Sequence, residues 1–119
     1  MGKTLVMGAS LDPSRYSYLA VNRLVSAGED VVAFGKRKGK VAGISIDTEL
    51  LSYKNIDTVS LYLNSQNQKT FYNYIVGLKP KRVIFNPGAE NPEFYNILES
   101  HGIHAEVACT LVLLATKQY

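Results

Sequence analysis

Short apolar, β-rich runs alternate along this chain with segments whose apolar residues recur at helical spacing. Lys3 to Met7 reads as a buried strand. From Tyr16 to Ala27, residues Leu19, Ala20, Leu24 and Ala27 follow the spacing of a helix that packs one face, and Gly28 stands where it should stop. Val31 to Phe34 is the next strand. A turn-rich stretch, Gly35 to Lys40, leads to a short extended piece at Gly43 to Ile46 and a polar turn around Asp47 to Leu51. Asp57 to Leu63 is again β-rich. Asn64 or Ser65 can cap a helix through Phe71, Tyr74, Ile75 and Leu78, which Pro80 ends. Arg82 to Phe85 forms another buried strand. Asn91 then caps a helix with Pro92 at its first position, where the missing N–H is not needed. That helix carries Phe94, Ile97 and Leu98 and stops at Gly102. Ile103 to Val107 and Thr110 to Lys117 complete the pattern as strand and helix.

Strands separated by helices predict a parallel sheet covered on both faces, because a right-handed crossover between parallel strands needs such a helix. The expectation is a single α/β domain over residues 1–119, with no linker, repeat or low-complexity segment. Its architecture should be a Rossmann-like, three-layer, doubly wound sheet of about five mainly parallel strands. Such sheets bind ligands at the carboxyl ends of their strands. The informative loops therefore follow Met7, Phe34, Leu63, Phe85 and Val107.

Composition narrows the function classes. At 46% hydrophobic and 19% charged, the chain has the make-up of a folded domain rather than a disordered one. Its net charge of +3 is too small to imply nucleic acid. One cysteine, Cys109, excludes an internal disulfide. No signal-peptide pattern and no apolar stretch approaching a membrane span are present, so the expected location is the cytoplasm, with no membrane partner. His101 and His104 lack the sulfur partners of a finger-type metal site.

Two loops carry distinctive chemistry. Gly8-Ala9-Ser10-Leu11-Asp12-Pro13-Ser14 joins the first strand to the first helix, where backbone amides can meet a phosphate. Ser10 and Ser14 could add hydroxyl donors. The loop is neither G-x-G-x-x-G nor a Walker loop. A plain turn with Ser14 as helix cap is an open alternative. The second loop, Gly35-Lys36-Arg37-Lys38-Gly39-Lys40, places four cations in six residues after the second strand. Folds that bind NAD usually place a carboxylate there for the ribose hydroxyl. Cations instead favour an adenosine bearing an extra phosphate, as in coenzyme A or NADP. A solvated basic loop is the other reading.

Taken together, these residues resemble the CoA-binding domain family, in particular its small stand-alone bacterial members. The resemblance rests on Gly8-Ala9-Ser10, Pro13, Ser17 and Ala20, then Gly28, Val31-Val32, Lys36 or Lys38, and Gly43. It continues through Asp57-x-Val59, Pro87-Gly88-Ala89-Glu90-Asn91, His101-Gly102-Ile103 and Cys109. Phe34-Gly35, Asn64-Ser65 and Val107-Ala108 depart from the family pattern. The resemblance implies coenzyme A or an acyl-CoA as the small-molecule nucleotide ligand. Gly8, Ala9, Ser10 and Pro13 would hold the pyrophosphate, and Lys36 and Lys38 would face the ribose phosphate or pyrophosphate. Asn64 and Ser65 would lie beside the adenine or pantetheine arm, with Gly88 leaving room for it. The implied role is a carrier, sensor or accessory module.

No Ser-His-Asp set, carboxylate pair or poised base can be argued from spacing, so no catalytic residue is assigned. Cys109 at a helix start could be a reactive thiol or a packing residue. Two other functional readings stand: an NADP-binding protein or NADP-dependent oxidoreductase, and a protein-interaction domain that has lost its ligand. Exposed tyrosines and an apolar last helix also suggest a homodimer.

Overall fold

A computed structural model describes residues 2–119. Its centre is the strand Lys3–Ala9 (β1), in which Leu5, Val6 and Met7 are all fully buried. A strand apolar on both faces must be covered on both faces, and helices do that here. The helix Tyr16–Ser26 (α1) packs Ala20, Val21 and Leu24 onto one face. The chain continues into Val31–Gly35 (β2), Gly39–Val41 (β3), Ile44–Asp47 (β4) and Ile56–Leu61 (β5). A short helix Ser65–Gln68 (α2) passes through a 3₁₀ turn into Tyr72–Leu78 (α3). Arg82–Phe85 (β6), Pro92–Ser100 (α4), His104–Val107 (β7) and Thr110–Ala115 (α5) follow.

The seven strands form one sheet in the order β3-β4-β2-β1-β5-β6-β7. All neighbours are parallel except the β3–β4 hairpin. This is the expected Rossmann-like α/β architecture, with two more strands than the periodicity predicts. Both lie in the segment read as a basic turn and one extended piece. The hairpin turns at Ala42 and Gly43, whose φ values of 50° and 79° suit the positive-φ turn that matches strand twist. A three-residue strand inside a lysine- and glycine-rich stretch has no alternation long enough to read.

Two cores result. Leu5, Met7, Val59, Leu61, Phe85, Phe94 and Leu98 pack under α3 and α4. Val6, Val21, Leu24, Ala33 and Ile46 pack under α1. The helix expected over 64–78 is broken because Gln68 turns inward and is fully buried, and the chain tightens after it. The last helix ends at Ala115, earlier than expected. Thr116 bonds back to Val112, and Lys117 takes a left-handed φ of 58°.

Among the described residues, no helix is long and apolar enough to cross a membrane. Nor does any group of three or more His, Cys, Asp and Glu residues stand placed to hold a metal.

Candidate functional site

The chain winds from β1 outward to β2, then crosses back to place β5 on the other side of β1. The loops after β1 and β5 therefore diverge, opening a crevice at the carboxyl end of the sheet. A cleft of about 790 Å³ lies there. Its lining gathers Gly8, Ala9, Ser10 and Ser14 from the first loop, Lys36 and Arg37 from the second, Asn64 after β5 and Gly88 after β6.

The first loop is built by its own polar atoms. Gly8 has a φ of 91°, and a Cβ there would stand 3.1 Å from the backbone carbonyl carbon of Tyr62. This glycine is thus required where the end of β1 approaches the residue after β5. Ser10 Oγ accepts the Asp12 N–H at 3.0 Å and keeps its own proton for another partner. Asp12 Oδ1 takes both the Ser14 N–H at 2.9 Å and the Ser14 hydroxyl at 2.7 Å. Those two donors, with a smaller contribution from Arg15, hold the Asp12 carboxyl below the usual range. The alternative reading of Ser14 as the helix cap does not hold: Arg15 occupies the cap position of α1, and no side chain bonds the first turn. Ser14 is spent on Asp12, and Tyr18 and Leu19 donate to the Arg15 carbonyl, so the Tyr16 and Ser17 amides, from two residues that line the cleft, are left with no protein acceptor among the described residues.

Arg15 was not anticipated from the sequence. A cation at the positive end of a helix dipole is electrostatically unfavourable unless an anion joins it. That misplacement was the available signal. Arg15 lines the same cleft as Lys36 and Arg37, bringing three cations to one opening. Lys38, just before β3, Pro13 and Ser65 are exposed and lie outside the lining. Leu11, Tyr16, Tyr62 and Asn67 also line the cleft.

The opposite wall is fixed from behind. Asn64 Oδ1 caps α2 by accepting from the Asn67 N–H at 2.9 Å. The buried Gln68 donates to the carbonyls of Leu63 at 2.8 Å and Ala89 at 2.7 Å, which flank Asn64 and Gly88. Its own oxygen accepts from Asn91 at 2.8 Å. Asn86, also fully buried, donates to Ser60 and to the Leu61 carbonyl and accepts the Thr110 N–H at 2.8 Å. Gly88 has open space where a Cβ would stand, and its N–H donates to Glu90 at 2.9 Å. The Tyr62 hydroxyl is buried beside Ser60, Thr110 and Cys109 without reaching hydrogen-bonding geometry with any of them. Burial pushes its phenol up to about 12.

A second, more apolar cavity of about 360 Å³ adjoins the cleft and shares Lys36, Leu63 and Asn67 with it. Phe34 and Phe71 form its floor, their rings edge-to-face at 5.5 Å. Cys109 is half-buried at the cap of the six-residue α5, outside the cleft lining. His101 sits at the far end of α4, its Nδ1 at 2.8 Å from the Ile97 carbonyl, away from the carboxyl ends of the strands.

Residues 2–115 match a family model described as a CoA binding domain. The chain is 49% identical to an uncharacterized protein of known crystal structure, covering 100% of this chain and 98% of that one, with a TM-score of 0.96. A Thermus thermophilus protein of known structure is 22% identical over 99% of this chain and 91% of its own, with a TM-score of 0.86. The fold also recurs in a dinucleotide-forming acetyl-coenzyme A synthetase from Ca. Korarchaeum cryptofilum solved with phosphate and ADP. That match has 16% identity and a TM-score of 0.69, and covers 91% of this chain but 26% of that one. No curated protein sequence matches the chain.

Proposed function

The chain belongs to the CoA-binding domain family, and from that premise we propose that it binds coenzyme A or an acyl-CoA along this cleft, as a carrier, sensor or accessory module. The observation that carries the reading is the convergence of Arg15, Lys36 and Arg37 on an opening lined also by Tyr16 and Ser17, whose amides at the start of α1 have no protein acceptor among the described residues. Polyanions are held by such combinations of helix N-terminus and cations. The cleft volume of about 790 Å³ also lies within the range of ligand sites.

In this reading Gly8, Ala9 and Ser10 receive the pyrophosphate, with the Ser10 hydroxyl as donor. Lys36 and Arg37 meet the ribose phosphate. The adenine enters the apolar cavity floored by Phe34 and Phe71, and the pantetheine arm runs past Asn64 towards Gly88. When bound, coenzyme A supplies a thiol that carries an acyl group. This chain's residues bind and orient it.

Titration calorimetry with coenzyme A, 3′-dephospho-CoA, NADPH and NADH tests the proposal. Coenzyme A should bind best, and losing the 3′-phosphate should weaken it. Lys36→Ala and Arg37→Ala should each cost about tenfold in affinity, whereas Lys38→Ala should cost much less. A preference for NADPH would make this an NADP-binding protein. Silence from every ligand in folded protein would leave an interaction domain that has lost its ligand.

A further inference from the structure

The two edges of the sheet are built differently. The β3 edge is three residues long, carries Lys40 with Lys38 just before it, and has the Leu11 side chain lying against Gly39. Short length, lysines and a covering side chain are the ordinary defences of an exposed edge against pairing. The β7 edge, His104–Val107, is nearly as short at four residues but carries no lysine.

His104 N–H bonds to Lys81 and Ala108 N–H to Phe85, so the even-numbered residues of β7 face β6. Ala105 and Val107 therefore point their N–H and C=O groups outward. Neither has a backbone partner on that side among the described residues. Val107 is 58% exposed, and Val112 on the following helix is 56% exposed. A strand edge with open backbone groups, flanked by exposed valines, is a template for pairing with another strand.

We propose that a second copy of this chain covers it, pairing β7 with β7 antiparallel about a twofold axis at Ala105. This register makes Ala105 a hydrogen-bonded pair with its own copy. It sets His104 opposite Glu106 of the second copy in the closer, non-hydrogen-bonded pairs on either side. The twofold repeats that contact, so the edge is complementary in charge to itself. Glu106 is already held by Arg82 at 3.0 Å through one carboxylate oxygen, which leaves the other for the imidazole. An axis at Glu106 would instead put two carboxylates face to face. The pairing joins two sheets into one and leaves both clefts open, since the ligand loops lie at the strands' carboxyl ends and the cations on the far side of β1.

Sedimentation velocity over a wide range of concentrations tests this on the full chain. A dimer is expected. Val107→Lys should give a monomer, and His104→Glu should weaken association about tenfold; both variants should keep the wild-type circular dichroism spectrum. A wild-type monomer at every concentration overturns the proposal. So does a dimer that neither substitution weakens, because its interface must lie elsewhere. The cleft reading predicts ligand binding by both variants, so a failure of either proposal is distinguishable from a failure of the other.

Discussion

The two walls of the cleft are held by opposite means. The wall formed by the loops after β5 and β6 is pinned by fully buried amides, with Gln68 and Asn86 each satisfying several backbone and side-chain groups. The wall formed by the loops after β1 and β2 is largely exposed, held by local ties among Ser10, Asp12, Ser14 and the Arg15 amide. It carries Arg15, Lys36 and Arg37, none of which takes part in an ion pair among the described residues. Buried, satisfied polar groups specify shape, while unpaired cations in water specify a charge they await. One wall sets the geometry and the other supplies the attraction.

Substitutions should separate those roles. The largest effect is expected from Gln68→Leu, which strands the carbonyls of Leu63 and Ala89 and the amide of Asn91. The loss should be roughly 2–4 kcal/mol, visible as a large drop in the denaturation midpoint. Asn86→Ala should behave similarly. If either variant left stability unchanged while reducing ligand affinity, the division between shape and charge would fail. Next in size, Arg15→Ala should lower coenzyme A affinity about tenfold and flatten its salt dependence, with stability changed by no more than about 0.5 kcal/mol. A destabilised Arg15→Ala protein would mean that the cation belongs to the fold. Ser10→Ala should weaken binding several-fold less than that, through loss of one neutral donor.

The smallest effect concerns Asp12. Its carboxyl is lowered from 3.8 by Ser14, so the contact is present above that value and is lost as pH falls through the lowered one. The Ser14 amide resonance should therefore titrate with a midpoint below 3.8, while the amides around Gln68 hold still. Movement of both sets together would show the walls to be coupled.

How much of this was legible in the sequence follows the same division. Element order and the parallel sheet were readable outside the β3–β4 hairpin, because buried strands and helical spacing leave strong periodic marks there. The basic loop was readable as charge, and Gly8-Ala9-Ser10 as a turn. Which cations face inward was not, since Lys36 and Arg37 differ from Lys38 only through the bend into a three-residue strand. The rear network was invisible for a different reason. Gln68 sits in a polar run, Ser65 to Lys69, that reads as a solvated helix face, and only the tertiary fold buries it. Arg15 left a trace in its conflict with the helix dipole, but that trace gains meaning only once the helix start is fixed.

The most direct test of the central claim is to follow backbone amide resonances of the ¹⁵N-labelled protein as coenzyme A is added. The account predicts shifts concentrated at Gly8 to Ser17, Lys36 and Arg37, Asn64 to Asn67, and Gly88, with β7 unmoved. Shifts confined to other surfaces, or a spectrum unchanged by the ligand, would contradict it.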